Sequence, residues 1–121
     1  MHQMTKNGGC KLRFHVQHAG TSGWYWAEYS TFVVADETSG YQLTVAGFSG
    51  NVHDSFGPYN GDTFKTPDQD VCAAMYAGGF WYGSYCGGPR VNAADHWFDW
   101  PQLAVSFDNL MYSQMWLQCA L

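Results

Sequence analysis

The four cysteines, Cys10, Cys72, Cys86 and Cys119, constrain this chain more than any other feature. Their number is even, and they lie in a small, loop-rich sequence. That combination favours disulfides formed in an oxidising compartment. No two of them stand in a C-x-x-C arrangement, so spacing excludes a redox dithiol or a structural zinc site. The chain has 121 residues, the size of one domain with one modest core. Rings make up 18% of it, carried by Trp, Tyr and Phe rather than by long aliphatics. A chain rich in rings and glycine and poor in Lys and Glu forms helices badly and suits sheets and packed loops.

The net charge of −5 narrows the partners. The basic residues Lys6, Lys11, Arg13, Lys65 and Arg90 are scattered, so no stripe neutralises a run of phosphates or an anionic membrane surface. Nucleic acid is therefore not expected as a partner. Membrane insertion is not expected either, because no apolar run approaches a spanning length. Met1 to Gly9 are polar and lack the apolar centre of a signal peptide, so we expect a leader already removed or a start inside a longer protein.

Periodicity places the strands. In KLRFHVQ, Leu12, Phe14 and Val16 alternate with polar neighbours. A turn at Gly20–Gly23 precedes the aromatic and β-branched run Trp24–Val34. A second turn at Asp36–Gly40 leads to Tyr41, Leu43 and Val45, a third strand, and the spacing fits an antiparallel meander. Met111–Gln118 offers a last strand, and Ala104, Ser106 and Asp108 alternate with Val105 and Phe107 just before it. Between them Gly, Asn, Asp, Ser and Pro dominate, with a short helical turn expected at Ala73–Ala77. We therefore expect one domain over 1–121, with a sheet part at 11–46 plus 111–118 and a loop-rich lobe at 47–110. If the first and last strands are antiparallel neighbours, Cys10 and Cys119 fall side by side and pair. The competing reading is a cross-link between chains.

Several segments, in one order, resemble the fibrinogen C-terminal domain family. Tyr29-Ser30-Thr31-Phe32-Val33-Val34-Ala35-Asp36-Glu37 is similar to its YSxFxVxxE strand and turn. Tyr41–Val45 followed by Gly47–Asn51 is similar to YxLxVxGxSGN. Asp54-Ser55 and Tyr59-Asn60-Gly61 then follow, Phe64–Asp70 resembles FSTxDxD, and Cys72-Ala73 with Tyr76 resembles CAxxY. Gly78–Tyr82 with Cys86 matches GGWWYxxC, and Gln114–Leu117 sits where the family has its closing EMKI strand. The match runs over about 11–118. The family's opening GGWTVIQRR strand has no counterpart here, so the resemblance is to a divergent member truncated on its N-terminal side.

The resemblance implies an α+β fold with a small antiparallel sheet, a loop-rich stapled lobe and little helix. It implies a Cys72–Cys86 disulfide, whose loop would contribute about 3 kcal/mol on the chain-entropy model. It implies calcium at the D-x-D pair Asp68 and Asp70. Cys72 follows Asp70 closely, however, and two solvated aspartates are the plain alternative. From the lectin members it implies an acetyl-binding pocket with Tyr76, Tyr82, Tyr85 and Trp97 as ligand-binding residues. Rings with polar handles suit sugar faces, although rings in a small domain are more often core. The expected function is therefore a secreted, lectin-like module binding acetylated glycans in innate defence, with homo-oligomers supplying avidity. Gly87 stands where those lectins often carry His. This favours the alternative, an extracellular protein–protein interaction module.

No enzyme is expected. His15 and His18 face opposite sides of a strand. His53-Asp54-Ser55 holds catalytic residue types, but neighbours in sequence do not make a triad, which is assembled from distant segments. Glu28 and Glu37 lie on different elements and do not pair as acid and base.

Overall fold

A computed structural model describes residues 1–83, 86–93, 98–101 and 109–120. Its frame is a four-stranded, wholly antiparallel sheet built from β1 (Cys10–His18), β2 (Trp24–Val34), β3 (Leu43–Gly50) and β4 (Leu110–Cys119), in the order β3-β2-β1-β4. The first three strands form the expected meander, and β4 returns to lie beside β1. Two α-helices, α1 (His2–Thr5) and α2 (Val71–Tyr76), are each little more than a turn long. Such lengths do not hold alone, and both are anchored by side chains. Thr5, fully buried, accepts the Val34 amide at 2.8 Å, which ties α1 to the end of β2.

The period-two pattern of β1 becomes a buried row of Leu12, Phe14 and Val16, with Lys11, Arg13, His15 and Gln17 turned outward. Along β2 the buried row skips a residue, running Ala27, Tyr29, then Phe32 and Val34. The register survives because β3 skips as well: Tyr29 pairs with Phe48, and Phe32 with Val45. Gly47 makes the matching kink at φ 75°, and a Cβ there would lie 1.8 Å from Ser30 Oγ. A side chain at this position meets both a left-handed backbone and an occupied space.

β3 runs on to Gly50, past the boundary at 46 drawn from the sequence, because Phe48 still packs on Tyr29 (ring centroids 5.6 Å apart). It begins at Leu43 rather than Tyr41, whose φ of 55° takes it out of the strand. The alternation at 104–108 lies outside the described residues.

The loop-rich lobe has almost no regular structure, so side chains fix it to the sheet. Phe14 meets Tyr29, Phe56, Phe80 and Trp100, all edge-on, with centroids 5.1–6.5 Å apart. Their buried polar ends all find partners. Tyr29 donates to Asp54 Oδ1 at 2.6 Å, Trp100 to the His53 carbonyl at 3.0 Å and Trp81 to the Tyr41 carbonyl at 2.8 Å. Cys10 and Cys119 stand opposite each other in the β1–β4 ladder and are bonded within the chain, so the sheet closes its own ends.

Gly47→Ala should destabilise the fold by roughly 2–4 kcal/mol, the sum of a left-handed backbone cost and overpacking against Ser30. The midpoint of urea unfolding measures it, and an unchanged midpoint would refute this account of the kink.

Candidate functional site

The stapled lobe is built around α2. Asp70 is its N-cap: Oδ1 accepts from Cys72 N at 2.8 Å and Ala73 N at 3.1 Å. The helix ends at Ala77 in the left-handed region, and Cys72 is bonded to Cys86 across the following loop. That loop is glycine-rich for a packing reason. The Tyr59 ring lies so close to it that a Cβ on Gly83 or Gly87 would sit 2.0–2.1 Å from ring or hydroxyl atoms.

Tyr76 and Tyr82 both point into the lobe. Tyr76, 4% exposed, donates to the Cys86 carbonyl at 3.3 Å and accepts from Arg90 Nη1 at 3.1 Å. Tyr82, with no exposure, donates to the Gly78 carbonyl at 2.7 Å and packs edge-on against Tyr76. Burial, and after it the neighbouring Tyr76, pushes the Tyr82 phenol up to about 12. Tyr29 is raised further, by burial first and then by Asp54.

Beneath the two tyrosines lies a pair that no motif announced. Arg90 grips Asp99 with two parallel bonds, Nε to Oδ1 at 2.6 Å and Nη2 to Oδ2, while its guanidinium lies 4.9 Å over the Tyr76 ring. Burial alone would lower the Arg90 pKa, but the hydrogen bonds to Asp99 and Tyr76 carry it above its usual value. Asp99 also bridges Asn109 at the root of β4, so this pair joins the lobe to the sheet. The only sequence signal was a lone Arg among loop residues. Tyr85 and Trp97, also named from the sequence, lie outside the described residues.

Asp68 is exposed, and Asp70 is committed to the cap. Among the described residues no group of three or more His, Cys, Asp or Glu converges as a metal site. Only Oδ1 of Asp70 is engaged in the cap, and a calcium ion, which takes six to eight oxygens, would need further oxygens beside these two carboxylates. His53-Asp54-Ser55 is structural in its visible bonds. The His53 carbonyl holds Trp100, Asp54 holds Tyr29 and the Gly57 amide, and Ser55 donates to the Pro101 carbonyl. A cleft of about 300 Å³ opens elsewhere, its walls mainly Val34, Tyr41, Phe64, Phe80, Trp81 and Met115. Two polar side chains at its edge are occupied, His2 by the Val34 carbonyl and Asn92 by the Gly79 carbonyl.

Exposed rings gather on the sheet face turned away from the lobe. Trp24, Tyr112 and Trp116 are 56%, 44% and 53% exposed. Trp24 and Tyr112 meet edge-on at 5.4 Å across the outer Gln17. Arg13 lies 4.3 Å over Trp26, donates to His15 Nε2 at 2.7 Å and reaches Glu28 at 3.5 Å, while His15 leans on Trp116 at 5.7 Å. Alternation within one strand cannot reveal this grouping, because the joining of rows from β2, β1 and β4 depends on strand order.

A meander closed by a returning strand, carrying a ring-packed lobe stapled after a capped helical turn, defines a fibrinogen-like globe. The family model for the C-terminal globular domain of fibrinogen beta and gamma chains matches residues 1–113, and the chain belongs to that family. Mouse tenascin is 35% identical over 113 residues, 81% of this chain and 5% of tenascin. Drosophila Protein scabrous is 31% identical over 109 residues, 82% of this chain and 13% of that protein. The fibrinogen-like globe domains of human ANGPTL6 and ANGPTL2 superpose with TM-scores of 0.85 and 0.81 at 22% and 26% identity. They cover 99% and 95% of this chain, which spans 61% and 60% of theirs.

Two predictions follow from the lobe. Asp70→Ala should cost about 1 kcal/mol of stability and Asp70→Asn almost nothing, because Asn caps as well as Asp. A melting temperature raised by calcium in the parent and not in Asp70→Asn would instead give the carboxylate a metal role. Because the folded phenols hold their protons more tightly than the unfolded ones, the stability Tyr82 contributes is complete below pH 10.0 and is lost as pH rises through about 12. Tyr82→Phe should flatten that alkaline loss in urea unfolding followed from pH 9 upward.

Proposed function

We propose that this chain is an extracellular recognition module whose partner is a protein rather than an acetylated glycan. One observation carries the reading. Tyr76 and Tyr82, two of the tyrosines that would line a sugar pocket, spend their hydroxyls inside the lobe, while Trp24, Tyr112, Trp116 and Arg13 stand on an open sheet face. Trp, Tyr and Arg are the residues that dominate protein–protein hot spots. The 300 Å³ cleft offers few polar groups to orient a sugar. Among fold relatives, lamprey fibrin D-dimer is complexed with the peptide Gly-His-Arg-Pro-amide (TM-score 0.62, 21% identity, covering 89% of this chain and 44% of that one). The two disulfides suit an oxidising, extracellular setting.

The test is a paired screen of folded protein against an array of secreted ectodomains and an array of acetylated glycans. We expect an ectodomain ligand whose affinity falls at least about tenfold on Trp24→Ala or Arg13→Ala, roughly 1.4 kcal/mol or more. A glycan signal competed by N-acetylglucosamine, or a protein ligand indifferent to both substitutions, would restore the lectin reading or move the site.

A further inference from the structure

Charge is not spread evenly over this chain. Of Lys, Arg, Asp and Glu, the four strands hold Lys11, Arg13 and Glu28 alone, a net of +1. The rest of the chain, with three bases and nine acids, carries −6. Among the acids outside the strands, Asp54, Asp70 and Asp99 are bonded into the lobe. Lys11 and Arg13 stand two apart on β1 and so share the open face. There Arg13 lies between Glu28 of β2 and Trp116 of β4, and Lys11 lies beside Gln118. The exposed rings thus border a cationic pair in an acidic molecule.

Arg13 is held in place with donors to spare. Its guanidinium rests over Trp26, Nε donates to His15 Nε2, and Nη1 reaches Glu28 only at 3.5 Å. No described residue bonds Nη2 of Arg13 or the ammonium of Lys11. A hollow of about 340 Å³ opens beside these two groups, walled by Lys11, Arg13, Trp116 and Gln118, with Glu28 also on its lining. A second, of about 290 Å³, shares the Arg13 wall and is otherwise lined by His15, Trp24, Tyr25 and Trp26. One hollow therefore offers cationic donors, and its neighbour offers rings.

We infer that the open face takes an acidic segment of a partner protein, with a carboxylate bonded by Arg13 and Lys11 and a neighbouring apolar side chain laid against Trp24 and Trp26. This rests on the reading of the chain as a protein-recognition module, and it names the chemistry of the partner. Charge complementarity selects that occupant. A basic segment would set like charges against Lys11 and Arg13, and a neutral one would leave their donors unpaired as water is excluded. A carboxylate has an oxygen for each, and such charge-assisted bonds are the strong ones. Because Arg13 is already fixed by Trp26 and His15, little side-chain freedom is lost when it binds. The net charge of −5 does not oppose this contact. Charges more than about 8 Å away are screened at physiological salt, so a segment lying on the face answers chiefly to Lys11, Arg13 and Glu28. A long polyanion such as a sulfated polysaccharide asks for a run of cations, and the strands supply two.

The probe is a phage-displayed library of random dodecapeptides, panned on the folded, disulfide-bonded chain. Retained peptides should be enriched in Asp and Glu next to an apolar residue. A synthetic copy of one should bind Lys11→Glu at least about tenfold more weakly than the parent, and its affinity should fall as salt is raised. The same peptide with Lys in place of its acid should reverse the order and prefer Lys11→Glu. On adding the acidic peptide, the indole resonances of Trp26 and Trp116 should shift, while those of the buried Trp81 and Trp100 stay put. Should Lys11→Glu melt below the parent, Lys11→Gln takes its place, with a smaller loss in the same direction. An empty selection, neutral or basic peptides, or binding indifferent to Lys11 overturns the inference. Heparin bound more tightly than any peptide makes the occupant a polysaccharide and overturns it too. Non-acidic peptides lost on Trp24→Ala sink the acidic segment and leave protein recognition standing; that broader reading fails instead on a glycan signal competed by N-acetylglucosamine.

Discussion

The seat of Phe14 on β1 is the contact on which the rest of this molecule depends. Four rings close on it, Tyr29 from the neighbouring strand and Phe56, Phe80 and Trp100 from three separate stretches of loop. A lobe with almost no helix or ladder of its own has no other way to hold a shape against chain entropy. Interlocking rings supply both buried area and orientation. Their polar ends are all answered by carbonyls or by Asp54, so the cluster carries no unsatisfied group that would loosen it.

The covalent links act around that cluster rather than in place of it. Cys10–Cys119 joins the first and last strands at the rim of the sheet, closing a loop that spans nearly the whole chain. Cys72–Cys86 clamps the segment that carries Tyr76 and Tyr82. The Arg90–Asp99 pair is the electrostatic counterpart of these staples. Half-buried and bidentate, it ties the lobe to the root of β4, and its guanidinium doubles as a lid on the Tyr76 ring. The hydroxyls of Tyr76 and Tyr82 are thus spent inside the stapled lobe, while Trp24, Tyr112 and Trp116 stay exposed on the far face of the sheet.

Part of this was legible before any coordinates. Period-two alternation in Leu12–Val16 and Leu43–Val45 marked the sheet, and the ordered segments from Tyr29 to Leu117 marked the family. The capping role of Asp70 was not legible, because a D-x-D pair gives no sign that one carboxylate oxygen accepts from the amides of Cys72 and Ala73, at 2.8 and 3.1 Å. The skip at Ser30 was equally hidden, since it is compensated by a glycine seventeen positions on that alternation alone does not connect to it.

The sequence by itself determined the kind of molecule this is. Alternation sets which strand residues can share a face, cysteine content sets the covalent frame, and a poverty of helix formers leaves the lobe to its rings. Tertiary structure alone decided which rings are spent and which are offered. Burial of a side chain is set by the neighbours that arrive from distant segments, and a tyrosine is the same residue in the list whether its hydroxyl meets a carbonyl or solvent. Strand order likewise is a property of the assembled sheet. Only it could bring Trp24, Arg13 and Trp116 into one surface and leave β4 at the edge.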